Sequence, residues 1–172
     1  MQFLQLVAIA IALISLLATL HLSWAWFRFR THPHIESIEI AEPSIAIELK
    51  QLVAEIATIA GVPAPPLYIR RAAMPNAFVV TAIFRSELYL TDELLEHCNE
   101  LENGLEKLTL AICHEIAHIQ RGDALRVGLL TYGLHLSDKL SLKGLGKTFQ
   151  STINDIESET QKLEKQLMAQ LS

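Results

Sequence analysis

The sequence predicts a mainly helical α+β protein, a domain with a small β-sheet preceded by one N-terminal transmembrane helix. Three observations predict it. An unbroken apolar run opens the chain. Behind it, long stretches repeat apolar residues at the 3.6-residue period of a helix. Short runs rich in β-branched and aromatic residues lie among them, between positions 67 and 90. At 172 residues the chain suits one domain with a modest core. The formal charge of -5 offers no basic surface, which excludes nucleic acid as a partner.

Phe3 to Phe27 carries no formal charge and holds much of the chain's 51% hydrophobic content. Its roughly 25 residues, at about 1.5 Å each, can cross a bilayer with some tilt. A cleaved signal peptide would want a basic stretch ahead of the apolar run, and none precedes it. Trp24, Trp26 and Phe27 read as an interfacial belt, followed at once by Arg28 and Arg30. The positive-inside rule then leaves the N-terminus outside and the main domain in the cytoplasm. The organisation expected is an anchor over 1–30, a linker over 31–42 and a folded domain over 43–172.

The linker reading rests on prolines and alternating Ile and Glu between Thr31 and Ala41. Pro43 and Ser44 open a helix to about Ala60, with Ile45, Leu49, Leu52, Val53 and Ile56 in period and Gly61 as its stop. Pro63, Pro65 and Pro66 turn the chain into a short strand, Leu67 to Arg70. Ala77 to Phe84 is a β-type run, and Glu87 to Leu90 pairs with it through a turn at Arg85-Ser86. Thr91 caps a short helix that ends near Glu100. Asn103 and Glu106 form a capping-box pattern for the next helix, which Gly122 ends. Asp123 is placed to cap a further helix, Ala124 to about Leu136. Ser141 to Lys147 has two glycines and reads as a loop. The last helix, from about Thr148 to Leu171, carries the stripe Phe149, Ile153, Ile156, Thr160, Leu163, Leu167, Leu171.

The chemistry sits in His114-Glu115-Ile116-Ala117-His118, an H-E-x-x-H pattern. Residues four apart share a helix face, so both imidazoles can reach one metal, and Glu115 lies close enough to take a proton from the attacking water. These are the residues of a zincin-like site for one zinc per chain. Two surface or core histidines on an ordinary helix are the plainer alternative. Leu108, Ile112, Ile116 and Ile119 argue against it, because polar groups in so apolar a helix need a partner. Cys113 points roughly 100° around the helix from His114 and reads as a small core residue. With Cys98 it makes no disulfide framework. A third ligand is needed, and the last helix offers Asp155, Glu157, Glu159 and Glu164. Glu157 and Glu159 flank the apolar stripe about equally, so periodicity leaves the choice open. Tyr132 and His135 are candidates to stabilise an oxyanion, and equally ordinary helix-face residues.

Several motifs in order resemble the HtpX-like zinc metallopeptidases, the membrane-linked group that includes the CAAX prenyl protease type. They are Pro75-Asn76-Ala77-Phe78, then Leu88-Tyr89-Leu90-Thr91 with Leu94-Leu95, then His114 to Ile119 closed by Gly122-Asp123. The resemblance covers about Ala41 to Leu129. It implies a zincin-like, minigluzincin-type domain and peptide or protein substrates, membrane or misfolded proteins among them. It also implies a third ligand at the first Glu of a Glu-x-x-Ala-Asp motif. Glu157-Ser158-Glu159-Thr160-Gln161 stands nearest that motif, which favours Glu157. Thr160 stands in place of the Ala. Gln161 replaces an Asp that in the family supports a zinc-binding His.

The expectation is therefore a zinc metalloendopeptidase anchored in the lipid bilayer. His114, His118 and Glu157 hold zinc, and Glu115 acts as base. An extended peptide adds to the strand from Asn76. The alternative is a non-catalytic, membrane-tethered relative that serves as an interaction or regulatory module, which the altered tail motif motivates.

Overall fold

A computed structural model of the chain describes Phe27 and residues 33–82, 85–139 and 143–171. The expected transmembrane run lies outside the described residues, apart from Phe27. Among the described residues no helix is long and apolar enough to cross a membrane. The chain divides into two compact units, Met1–Ile35 and Glu36–Ser172, and the candidate site lies in the second.

Positions 33–42 differ from the expected linker. They contain strand β1 (Ile35–Ser37) and a helical turn, α1 (Ile38–Ala41). Ile38 is fully buried, so one side chain of this alternating stretch belongs to the core. Helix α2 (Ala46–Ala60) begins later than Pro43, because the chain turns first through a hydrogen bond from Ile45 N–H to Glu42 O (3.3 Å). Its buried Leu49, Val53, Ile56 and Ala60 recur three and four apart, and left-handed Gly61 ends it.

Three longer strands follow: β2 (Leu67–Arg70), β3 (Ala77–Ala82) and β4 (Arg85–Thr91). The sheet order is β1-β2-β4-β3, with β2 parallel and β3 antiparallel to β4. Leu67, Leu88 and Val79 align across one face, as do Ile69, Leu90 and Ala77, and this face packs into the core. On the other face Tyr89 stacks between Tyr68 and Phe78, with ring centroids 5.3 and 5.2 Å apart, and donates to Glu87 Oε2 (2.8 Å). The register pairs Ala82 with Arg85 and Thr81 with Ser86. Arg85 and Ser86 are thus strand residues rather than the expected turn.

Thr91 caps α3 (Asp92–Asn99) by accepting from Leu94 N–H at 3.3 Å. No capping box opens α4 (Gly104–Arg121). Asn103 has φ −106° and ψ 29°, away from the extended backbone that aims a cap side chain at the first turn, and it makes no such bond. Helices α5 (Ala124–Lys139) and α6 (Lys143–Leu171) complete the fold. The glycines expected in a loop are helical. A Cβ on Gly146 would lie 2.9 Å from Ser137 Oγ, so the glycine permits a close crossing of α5 and α6. Along α6, Ile156, Thr160 and Leu167 of the stripe are buried. The core joins α2, α4, the inner sheet face and the tail of α6 around Ile56, Ile112, Ile116 and Leu88, each fully buried.

Candidate active site

Helix α4 divides its residues by face. Ile112, Cys113, Ile116 and Ala117 are fully buried, which anchors the helix and matches the small-core reading of Cys113. Their neighbours His114 and His118 emerge one turn apart along the flank towards α6, with rings 4.9 Å apart and edge to face at 83°. Helix α6 meets this flank with its buried stripe, which brings residues just beside the stripe against the imidazoles.

Glu157 follows buried Ile156 and precedes buried Thr160 by three residues. Its Oε2 lies 3.2 Å from His114 Nε2, and its Oε1 lies 3.6 Å from His118 Nε2. One ligand atom from each of the three lies within 4.8 Å of the others. A tetrahedral site with bonds of about 2.0–2.1 Å sets its donors about 3.3–3.4 Å apart. The two distances from Glu157 to the imidazoles already stand near that spacing, and two imidazoles with a carboxylate are the donor types zinc takes.

Glu159 goes elsewhere. Its carboxylate accepts from Arg121 Nη2 at 2.5 Å, is 61% exposed, and is held below the usual carboxylate range by that bond. Arg121 also donates from Nε to Asp123 Oδ2 (2.5 Å), so one guanidinium ties the end of α4 to α6.

The other nitrogen of each imidazole faces a second carboxylate. His118 Nδ1 lies 2.8 Å from Asp123 Oδ1. The end of α4 explains this contact. Gly122, at φ 67°, closes the helix with hydrogen bonds from Gly122 N–H to Ile119 O and from Asp123 N–H to His118 O. That turn folds Asp123 back under His118. Its side chain is taken by His118 and Arg121 instead of capping α5, and only its backbone oxygen accepts from Val127 N–H (2.8 Å). His114 Nδ1 lies 2.7 Å from Glu164 Oε2. An Nδ1–H on each ring, donated to its carboxylate, leaves both Nε2 lone pairs towards Glu157.

Glu115 stands beside His114 and against the sheet. Burial pushes its carboxyl up from 4.5 to about 7, outweighing the His114 charge and a hydrogen bond from the Val79 backbone; the Glu157 charge raises it further. The strand geometry accounts for the Val79 contact. Thr91 N–H donates to Asn76 O at 3.0 Å, and Phe78 and Val80 pair with Tyr89 and Glu87. Alternation along the ladder turns the backbone N–H and C=O groups of Phe78 and Val80 towards β4, and those of Ala77, Val79 and Thr81 to the edge away from β4.

Tyr132, 48% exposed, and His135, also exposed, lie on α5, and His135 is not among the ligand group of His114, His118 and Glu157. Asp155 is exposed as well. Sequence reasoning missed the contacts of Asp123 and Glu164 with the imidazoles. Asp123 carried a signal, since a Gly-Asp pair directly after the helix invites a closing turn beneath its last His. Glu164 carried a fainter one, its place two turns from Glu157 on the same face.

Residues 43–170 match the model of Peptidase family M48. A Protease HtpX homolog of Thermoanaerobacter pseudethanolicus is 31% identical over 117 residues, covering 65% of this chain and 38% of the relative. A Protease HtpX homolog of Caldanaerobacter subterraneus subsp. tengcongensis is 34% identical over 86 residues, covering 49% of this chain and 27% of the relative. The chain therefore matches well under half the length of these two proteins.

Proposed function

Because this chain belongs to peptidase family M48, we propose that it is a zinc-dependent metalloendopeptidase held to a membrane by Phe3 to Phe27. The observation that carries this reading is the convergence of His114 Nε2, His118 Nε2 and the Glu157 carboxylate beside Glu115. In this reading those three residues hold one zinc ion. Bound zinc supplies a Lewis acid that polarises the scissile carbonyl and makes water a better nucleophile near neutral pH.

The chain's own residues supply the rest. Glu115 in its ionised form takes a proton from the attacking water and returns it to the leaving amine. A carboxyl raised to about 7 is suited to both halves of that transfer. Asp123 and Glu164 keep the imidazole Nδ1 protons occupied. Because β3 ends the sheet, an extended peptide can add along its open edge, with Ala77 and Thr81 offering backbone groups beside Glu115. The substrates that suit an anchored enzyme of this kind are membrane or misfolded proteins, with the domain on the cytoplasmic side that Arg28 and Arg30 favour.

The test is cleavage by the zinc-loaded full chain of a panel of unfolded and membrane-derived polypeptides. Wild type cleaves, and Glu115→Gln keeps zinc but loses about 100-fold or more in rate. Equal cleavage by the variant contradicts the assignment of the base. Zinc binding without cleavage by wild type favours a non-catalytic, membrane-tethered module.

A further inference from the structure

We propose that Glu164 is the positioning residue for His114, holding its Nδ1–H so that Nε2 is presented to the ligand group. This rests on the reading above, in which His114 holds the metal. Glu164 lies 50 residues from His114 in sequence, yet its Oε2 is 2.7 Å from Nδ1. Its side chain is 12% exposed and that of His114 is 25% exposed, so little water competes for the bond.

The geometry of α6 explains why this residue can do it. Glu157 and Glu164 are two turns apart on one helix face, about 10 Å along the axis. The His114 ring lies between them, with Nε2 3.2 Å from Glu157 and Nδ1 2.7 Å from Glu164. A neutral ring has one N–H and one lone pair. The shorter contact, to the more buried carboxylate, takes the N–H, and the lone pair faces Glu157. Gln161, one turn nearer Glu157, is exposed and does not fill this role. His118 shows the same arrangement with Asp123 on Nδ1 and Glu157 beyond Nε2. The two imidazoles are thus held by carboxylates from different elements, one from the turn after α4 and one from α6. Glu164 makes the ligand state of α4 depend on the docking of α6.

The experiment has two readouts on the full chain. Nitrogen-15 NMR of the metal-free protein, titrated until its imidazoles are neutral, reports which nitrogen carries the proton. Competition with a chelator reports zinc affinity. Wild type is expected to show His114 protonated at Nδ1. In Glu164→Ala, His114 shifts towards the Nε2–H form favoured in water, while His118, still held by Asp123, does not change. Zinc affinity falls about 10–100-fold. Glu164→Gln keeps an acceptor of the same shape, so it retains the Nδ1–H form with a smaller loss of affinity. It also gives a readable variant should the alanine variant fail to fold. An unchanged His114 tautomer in Glu164→Ala together with zinc affinity within twofold of wild type overturns the proposal. If wild type shows the expected tautomer yet takes up no zinc, the metallopeptidase reading fails and the positioning by Glu164 stands.

Discussion

Replacing Glu115 by Gln should make the metal-free protein more stable at alkaline pH, although it removes the proposed base. The folded chain raises this carboxyl from 4.5 to about 7, chiefly by burial. Between these values the folded state binds more protons at Glu115 than the unfolded state does. Stability therefore falls as pH rises through that window. The cost is absent below about 4.5 and complete above about 7. Holding this carboxyl near 7 instead of 4.5, at about 1.4 kcal/mol per tenfold change in proton affinity, costs the folded state roughly 3 kcal/mol. That is a large share of the roughly 5–15 kcal/mol that holds a domain folded. Gln keeps an oxygen to accept from the Val79 backbone and removes the charge. Urea denaturation of the metal-free chain, followed by circular dichroism, should find Glu115→Gln roughly 3 kcal/mol more stable than wild type at pH 8. Near pH 4.5 the two should coincide. The charges of His114 and Glu157 act on Glu115, so the difference reports this carboxyl together with its coupling to those two neighbours. An equal difference at both pH values, or a less stable variant at pH 8, would refute the argument that burial sets its proton affinity.

Two further outcomes follow from the site and one from the apolar N-terminal run. His114→Ala, His118→Ala and Glu157→Ala should each lose zinc by metal analysis, whereas Glu159→Ala, which breaks only an exposed pair with Arg121, should retain it; the reverse ranking of the two glutamates would transfer the ligand to Glu159. Gly122→Ala should cost about 1–2 kcal/mol in thermal denaturation, because φ 67° strains any residue with a Cβ. It should also weaken zinc binding by displacing Asp123, and unchanged stability and affinity would contradict that role for the turn. Mass spectrometry should find Phe3 to Phe27 retained in the mature chain, and a start after residue 25 would remove the anchor.

Much of this was legible because it depends on local pattern. The His114, Glu115, His118 spacing places three functional groups by helix geometry alone. The stripe from Phe149 to Leu171 identified the face of α6 that docks. Gly61 and Gly122 marked both helix ends correctly, since a left-handed residue is what a helix closure of this kind requires. What was not legible depends on which flank of a helix meets a neighbour. Glu157 and Glu159 are near-equivalent on a helical wheel, and only the docking of α6 onto α4 puts one against the imidazoles and the other against Arg121. The role of Glu164 was hidden for the same reason. Asp123 read as a helix cap because its competitor for the side chain, His118, lies across a turn whose geometry is tertiary in effect. Gly144 and Gly146 read as loop residues, although Gly146 lets two helices approach. Arg85 and Ser86 lie between two β-type runs and so read as the hairpin turn, whereas the ladder extends to pair them with Ala82 and Thr81.

The most direct measurement is an X-ray structure of the zinc-loaded chain, with the metal located by anomalous scattering at the zinc edge. The account predicts one zinc per chain, with His114 Nε2, His118 Nε2 and a Glu157 oxygen at about 2.0–2.2 Å, and Glu159 still paired with Arg121. Zinc bound through Glu159, or at a position that leaves His114 and His118 uncoordinated, would contradict it.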